Sequence, residues 1–460
     1  MLPPVWPDEV LFFSPSQELA NNGILKTDVL VGLIPGMEKK TLWMPPAYML
    51  NSALFLKIFP QNLSTVRFLS ALTIFLSAIT FLFLLRKLKF NNISVTIGFA
   101  TIIFEPLFFR FGIPARMEGM TILFFLLSAY TTFTTKDPFL RGLISGLFFS
   151  IACLSHPFAL SLGLVIIYLL YLDNPNKYRT FVYFILGAII PFFAWLLYIS
   201  PDWDLLIMQF GAQLVRKKAL FSTFSLIDKI KIFSYGFAFS KIRIFVILIQ
   251  LLLIGIFSRQ IFKQRKILPI KFNLFWIWIL SVIISIYSSS EGWYVIHFLF
   301  PFALGMSILS EQRIVGLKVA IFGILLSVTG WFQIINLHHI QTDSDQILSN
   351  HFERIYDSLK NHNRIYVQSI PDPYFYLKSK QPNKEILEFI PGELGIPSNR
   401  FLETIGTRDA FIFYRDDLKS QAISDFLIQH PDWIREEWDI PVPAQHWLAY
   451  KTIIYKKPLR

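Results

Sequence analysis

STVRFLSALTIFLSAITFLFLL, Ser64 to Leu85, carries a single charged side chain, Arg67, and then runs into Arg86, Lys87 and Lys89. An α-helix rises 1.5 Å per residue, so about 20 apolar residues cross a hydrocarbon layer. Similar stretches recur at 92–110, 116–134, 139–154, 156–172, 179–199, 244–262, 271–289, 293–310 and 314–335. The expected fold is therefore an α-helical polytopic membrane protein of about ten spans. The fourth and fifth stretches adjoin at Ser155-His156-Pro157, which marks either a break in one helix or a tight turn between two.

Composition agrees with the pattern. The chain is 54% hydrophobic, has a mean hydropathy of +0.50 and is only 16% charged. Soluble domains lie nearer a quarter charged. The net charge of +12 does not point to nucleic acid, because the basic residues fall mainly between apolar runs. The one cysteine, Cys153, excludes an intrachain disulfide framework and reads as a small apolar filler.

Charge between spans sets an orientation. Arg86, Lys87 and Lys89 follow the first span, Lys136 and Arg141 the third, Lys177 and Arg179 the fifth, and Arg259, Lys263, Arg265, Lys266 and Lys271 the seventh. These loops alternate, and all can be cytoplasmic. The opposite short loops hold only Arg110 and Arg116. The basic stretch 200–243 falls on the non-cytoplasmic side, and long loops weigh less in that rule. Residues 1–63 and the tail then both lie outside the cytoplasm. This orientation leads us to expect that a helix entering from the cytoplasm and ending before Pro3 is missing from the chain as written. Three regions follow: 1–63, an extracytoplasmic loop with interfacial helices; 64–338, the membrane domain; and 339–460, a polar tail. The tail mixes strand-like runs (364–369, 385–390, 409–414, 447–456) with helix-like ones (345–360, 416–430), which predicts a small α/β domain. Asp372-Pro373 and Pro391-Gly392 read as turns.

Charged and aromatic residues gather in the non-cytoplasmic segments. Trp6-Pro7-Asp8-Glu9 sets two carboxylates side by side, pointing in different directions. One can accept a proton from an acceptor group while the other orients that group or holds a positive partner. The same residues suit the acidic first turn of a helix begun by Pro7. Arg116 and Glu118 lie at the membrane boundary, where charges need partners or a watery cavity. They read either as a local pair anchoring a helix or as a phosphate-binding fork with an assisting carboxylate. His156 is a cap at the break or a donor to phosphate or sugar. Trp293 and Tyr294 fit an interfacial belt, and His297 lies one turn inside the span. Arg216, Lys217 and Lys218 sit between apolar residues and suit contact with anionic head groups, Lys217 being the candidate lipid-phosphate contact. No Walker loop, dinucleotide fingerprint or Cys/His metal spacing occurs, so no metal centre is expected. Asp8 with Glu118 alone would also suit a divalent cation.

Taken in order, Trp6-Pro7-Asp8-Glu9, Leu42-Trp43-Met44-Pro45-Pro46-Ala47-Tyr48, Arg67 with Leu69-Ser70-Ala71, Ala115-Arg116-Met117-Glu118, and Tyr294, His297 and Pro301 resemble the GT-C superfamily of membrane glycosyltransferases. The resemblance is nearer to the protein O-mannosyltransferase, aminoarabinose transferase and RgtA/B/C/D-like group and covers about residues 1–340. Members often carry Asp where this chain has Glu118, and the family's first helix has no counterpart here. The resemblance implies an inverting enzyme of the inner or plasma membrane, working on the extracytoplasmic face. It would move a hexose or pentose from a polyprenyl-phosphate donor to an envelope lipid (as in lipopolysaccharide), glycan or protein. It also implies Asp8 as base or acceptor-orienting group, and Arg116 with His156 or His297 on the lipid phosphate. A transporter or flippase of lipid-linked saccharide and a non-catalytic envelope protein are the alternatives.

Overall fold

The structure, a computed structural model, describes residues 5–172, 177–223, 269–289, 292–311, 317–318, 321–325, 328, 344–388, 398–415, 420–441 and 451–459. The stretch 244–262 and nearly all of 314–335 lie outside the described residues, as does the side chain of Lys217.

The helix expected at 64–85 is α3, Leu63–Lys87, preceded by α1 (Pro7–Asn22) and α2 (Ala47–Ile58). Asn62 starts α3 by accepting the Thr65 N–H at 3.0 Å, and Arg86 and Lys87 close it where the helix dipole favours cations. The stretch 92–110 is two helices, α4 (Asn92–Ile103) and α5 (Pro106–Gly112), bent by 54°. Pro106 cannot continue the α4 hydrogen-bond ladder, and Glu105 caps the new helix at the Leu107 N–H. Then follow α6 (Glu118–Thr134), α7 (Pro138–Ser155), α8 (Ala159–Leu172), α9 (Lys177–Ile199) and α10 (Trp203–Thr223). His156 is extended between α7 and α8, so the fourth and fifth stretches are two helices, not one broken helix. Beyond 268 come α11 (Pro269–Ser289) and α12 (Val295–Ser310).

Among the described residues, three helices are long and apolar enough to cross a membrane, and a fourth span is reached if α4 and α5 count as one. The bundle packs closely where side chains are small. A methyl group on Gly146 of α7 would come within 2.0 Å of the Phe184 carbonyl, and one on Gly187 of α9 within 2.1 Å of the Leu143 carbonyl. Bringing backbones this near is how apolar helices associate without a hydrophobic drive between them. One end of the bundle is tied by Lys271, whose ammonium bonds Glu311 at 2.7 Å and the Lys89 carbonyl at 3.1 Å. The loop 113–117, His156 and Gly292–Tyr294 lie at the other ends of the same helices.

The stretch 200–243 begins not as a loop but as α10. Its buried Gln209 accepts the Leu42 N–H and donates to the Pro35 and Lys40 carbonyls, fixing the segment between α1 and α2.

The tail folds as a five-stranded sheet in the order β2-β1-β3-β5-β4. The strands are β1 (Arg364–Gln368), β2 (Glu385–Glu388), β3 (Ala410–Phe413), β4 (Ile434–Asp439) and β5 (Lys451–Lys456). The first three are parallel; β5 runs against β3 and β4 against β5. The parallel strands are buried almost throughout, as expected where both faces are covered. One cover is the N-terminal segment: Val10, Leu11, Val29, Leu30, Ile34 and Met37 share a core with Ile365, Val367, Ile386 and Ile412. The sheet is thereby held against the start of α1.

Candidate active site

Pro7 opens α1, and this sets Asp8 and Glu9 in its first turn. Glu9 is fully buried and saturated. Its Oε1 accepts from Arg67 Nε at 2.8 Å and from the Ala115 N–H at 2.7 Å; its Oε2 accepts from Arg67 Nη2 at 2.5 Å and from the Trp6 N–H at 3.2 Å. One carboxylate thus joins α1, α3 and the loop before α6. Of the two roles open to the pair, Glu9 occupies that of holding a positive partner.

Asp8 points elsewhere. Its Oδ2 accepts from Arg116 Nη1, and its side chain stays 37% exposed. Arg116 is buried and forked onto Glu118, with Nη2 to Oε1 at 2.8 Å and Nε to Oε1 and Oε2 at 3.2 and 3.3 Å. Its guanidinium lies over the Trp293 ring, 4.5 Å from the centroid, and Trp293 meets Trp6 edge-on at 6.1 Å. Asp8 and the Arg116-Met117-Glu118 stretch, far apart in sequence, therefore meet in one contiguous group. The triad carries one net negative charge: two carboxylates against one guanidinium. Its exposed member is Asp8.

A second group adjoins it through the backbone of Trp293-Tyr294. The Phe158 N–H donates to His156 Nδ1 at 2.9 Å, so a neutral His156 keeps its proton on Nε2, 3.2 Å from the Tyr294 hydroxyl. His297 stacks on Phe158 with ring centroids 4.0 Å apart. Both its ring nitrogens are buried without a hydrogen-bond partner among the described residues. A buried imidazole left in this way is costly unless another group meets it. Tyr294 lies within electrostatic reach of Arg116, and Glu118 within reach of His297.

A divalent cation fits this arrangement poorly. Asp8 and Glu118 are both engaged by Arg116, so an ion between them would have to displace a cation already there. Among the described residues no group of three or more His, Cys, Asp or Glu side chains is arranged to hold a metal ion.

Sequence reasoning missed two features of this end of the molecule. Trp293 is not only a belt residue but the surface under Arg116. The tail also reaches the site: Ile370, Tyr414 and Ile440 pack together with Trp6 against them, and the Asp372 N–H donates to the Val5 carbonyl at 3.0 Å. The one available signal was Glu388, a carboxylate inside the apolar run Ile386-Leu387-Glu388-Phe389.

The fold has a counterpart among solved structures. A crystal structure of ArnT from Cupriavidus metallidurans bound to undecaprenyl phosphate superposes with a TM-score of 0.54 at 11% identity, covering 98% of this chain and 94% of that one. The apo-state crystal structure of the same protein gives a TM-score of 0.42 at 12% identity, covering 98% and 93%. No family model matches the chain, and no curated protein matches it. At such low identity the likeness is one of fold: over nearly its whole length the chain has the fold of that ArnT structure.

Proposed function

We propose that the chain is an inverting membrane glycosyltransferase. It takes a sugar from a polyprenyl-phosphate donor and passes it to an envelope acceptor on the extracytoplasmic face. The observation that carries this is the pairing of Asp8, half exposed, with Arg116, buried and held from behind by Glu118 and Trp293. Acceptor activation needs a carboxylate that can reach an incoming hydroxyl or amine. Departure of a lipid phosphate needs fixed positive charge where negative charge grows. Both are adjacent here.

In this reading a donor phosphate competes with Asp8 for Arg116 Nη1. Glu118 keeps its fork on Nε and Nη2, so the guanidinium stays in place while its outer edge changes partner. Asp8, released, takes the proton of the acceptor as the acceptor attacks the anomeric carbon from the face opposite the leaving phosphate. The configuration inverts, and the electron pair of the broken C–O bond leaves with the lipid phosphate. His297, lacking a partner among the described residues, supplies a second contact to that phosphate, with Tyr294 and His156 beside it. Glu9 is a strut, not a participant. The aligned ArnT structure holds undecaprenyl phosphate, which supports the class of donor.

The wider organisation we propose has about ten spans, with Lys217 near the lipid head groups. Residues 1–63 and 339–460 form the extracytoplasmic part, closed over the site. The alternative of a flippase needs charge along a central path. Among the described residues the ionic clusters instead lie towards the two ends of the bundle, at Asp8-Arg116-Glu118 and at Lys271-Glu311.

The phosphate role is tested by adding undecaprenyl phosphate to the purified protein and following thermal stability. Saturating ligand at 100 times Kd should stabilise the wild type by about 2.7 kcal/mol. Arg116→Ala should lose that response. An unchanged ligand response in Arg116→Ala would remove Arg116 from the phosphate site.

A further inference from the structure

A second pair of carboxylates lies in the tail, outside the site described above. Asp372, in the loop after β1, and Glu388, at the end of β2, are both buried, and each lies within hydrogen-bonding reach of the other. Asp372 Oδ1 accepts the Tyr374 N–H at 2.8 Å. Asp372 Oδ2 and both carboxyl oxygens of Glu388 have no N–H or O–H donor among the described residues. Strand register explains the meeting: Glu388 stands beside Val367, and the chain turns back towards it through Ser369–Asp372.

Two buried carboxyl groups in contact cannot both stay ionised without a cation. Among the described residues, the titratable groups around them supply none. Glu9 of α1 adds negative charge, Tyr374 and Asp28 do not offset it, and the Lys378 ammonium bonds the Pro382 carbonyl at 3.1 Å and feels Asp28 and Glu385. The remaining solution is a proton held between the two, one carboxyl donating to the other. Burial pushes Asp372 up to about 7 against the opposing bonds from the Tyr374 N–H and Glu388, with Glu9 adding to the rise, and burial together with Asp372 pushes Glu388 well above the usual carboxylate range.

The position of the pair gives it a consequence. The Asp372 N–H donates to the Val5 carbonyl at 3.0 Å, and the Glu388 N–H donates to the Val29 carbonyl at 2.9 Å. These two backbone bonds fasten the sheet to both ends of the segment that contains α1. We propose that Asp372 and Glu388 share a proton and act as positioning residues, holding the Asp8-Glu9 turn against Arg67 and Arg116. Loss of that proton leaves two like charges in contact at the fastening, and the turn loosens. The role rests on the reading of Asp8 as a site residue. The structural readouts below do not depend on sugar transfer, so the two ideas fail separately.

The sign follows from linkage. The folded state keeps a proton that the unfolded chain releases near the ordinary carboxylate pKa. The pair therefore costs no stability below about pH 4, and stability declines as pH rises from there through about 7 and beyond, until the folded pair also ionises. Each proton so held changes the folding equilibrium by about tenfold per pH unit within the window.

The test uses the full chain in detergent or nanodiscs, read by melting temperature from pH 5 to 8.5 and by hydrogen exchange of residues 5–16 corrected for intrinsic rate. The wild type should melt lower and lose at least about tenfold of its protection between pH 6 and 8. Glu388→Gln supplies a permanent neutral donor to Asp372 and should keep protection at both pH values. Asp372→Ala should lose it at both. If Glu388→Gln fails to fold, Asp372→Asn, whose amide donates to an ionised Glu388, makes the same test. A flat wild-type profile, or a Glu388→Gln profile that keeps the wild-type slope, overturns the proposal. So does a wild-type profile that EDTA or millimolar Ca²⁺ shifts, since the group between the carboxyls would then be a cation.

Discussion

Glu9 and Asp8 are neighbours in sequence with opposite environments, and their substitutions should separate. Glu9 is surrounded by four donors around a buried Arg67, and removing it leaves that guanidinium without its carboxylate. Breaking such a pair costs about 3–5 kcal/mol, so Glu9→Ala should yield little folded protein by size-exclusion and melting measurements. Replacing both partners, as Glu9→Gln with Arg67→Met, should recover part of the loss, because no buried charge is then left alone. A double variant no better than Glu9→Ala would contradict the strut. Asp8→Asn should cost little stability, since its partner Arg116 keeps Glu118. The motif around Asp8 was legible as two adjacent carboxylates beside Trp6 and Pro7, and its reading as a site came from the resemblance. Which carboxylate would be buried was not legible, because Arg67 and the Ala115 N–H reach Glu9 from distant positions.

Among elements, hydrophobic run length located most helices well: 64–85 is α3, 139–154 is α7 and 179–199 is α9. Run length did not reveal the bend in 92–110, where Pro106 is the only signal, nor α10, whose charges at Arg216, Lys217 and Lys218 interrupt the apolar pattern. Among the tail strands β1, β2, β3 and β5 were visible as strand-like runs. Strand β4 was not, because Arg435, Glu436 and Glu437 put three consecutive charges on this edge strand, Glu436 meeting Ser358 and Lys456 and Glu437 meeting Arg435 and Lys451. The contact between α7 and α9 makes a prediction at this scale. Gly146→Leu places side-chain atoms where the Phe184 carbonyl now stands. It should separate the two helices, lower the melting temperature and abolish crosslinking between cysteines introduced at Phe139 of α7 and Tyr183 of α9, whose rings now meet 4.9 Å apart. Unchanged crosslinking would mean the helices are not held by close backbone approach.

For the whole molecule, the feature no local pattern carried is the union of its two polar regions. Val10, Leu11, Val29 and Met37 are buried by residues more than 300 positions away, and sequence periodicity cannot assign a partner at that range. Deleting 344–459 should therefore uncover α1 and make residues 5–44 sensitive to protease, while α3 to α9 remain inserted; continued protection of 5–44 would mean this core does not hold the N-terminal segment. Joining these regions sets Trp6 and Asp8 between the sheet, Trp293 and Arg116, where we propose that sugar transfer happens. The most direct measurement is transfer of labelled sugar from a panel of undecaprenyl-phosphate sugars to envelope acceptors in proteoliposomes, comparing wild type with Asp8→Asn at equal insertion. The wild type should transfer sugar, and Asp8→Asn should lose about 10²–10⁴-fold of that rate with undecaprenyl phosphate still bound. Full transfer by Asp8→Asn would rule out Asp8 as the acceptor's base.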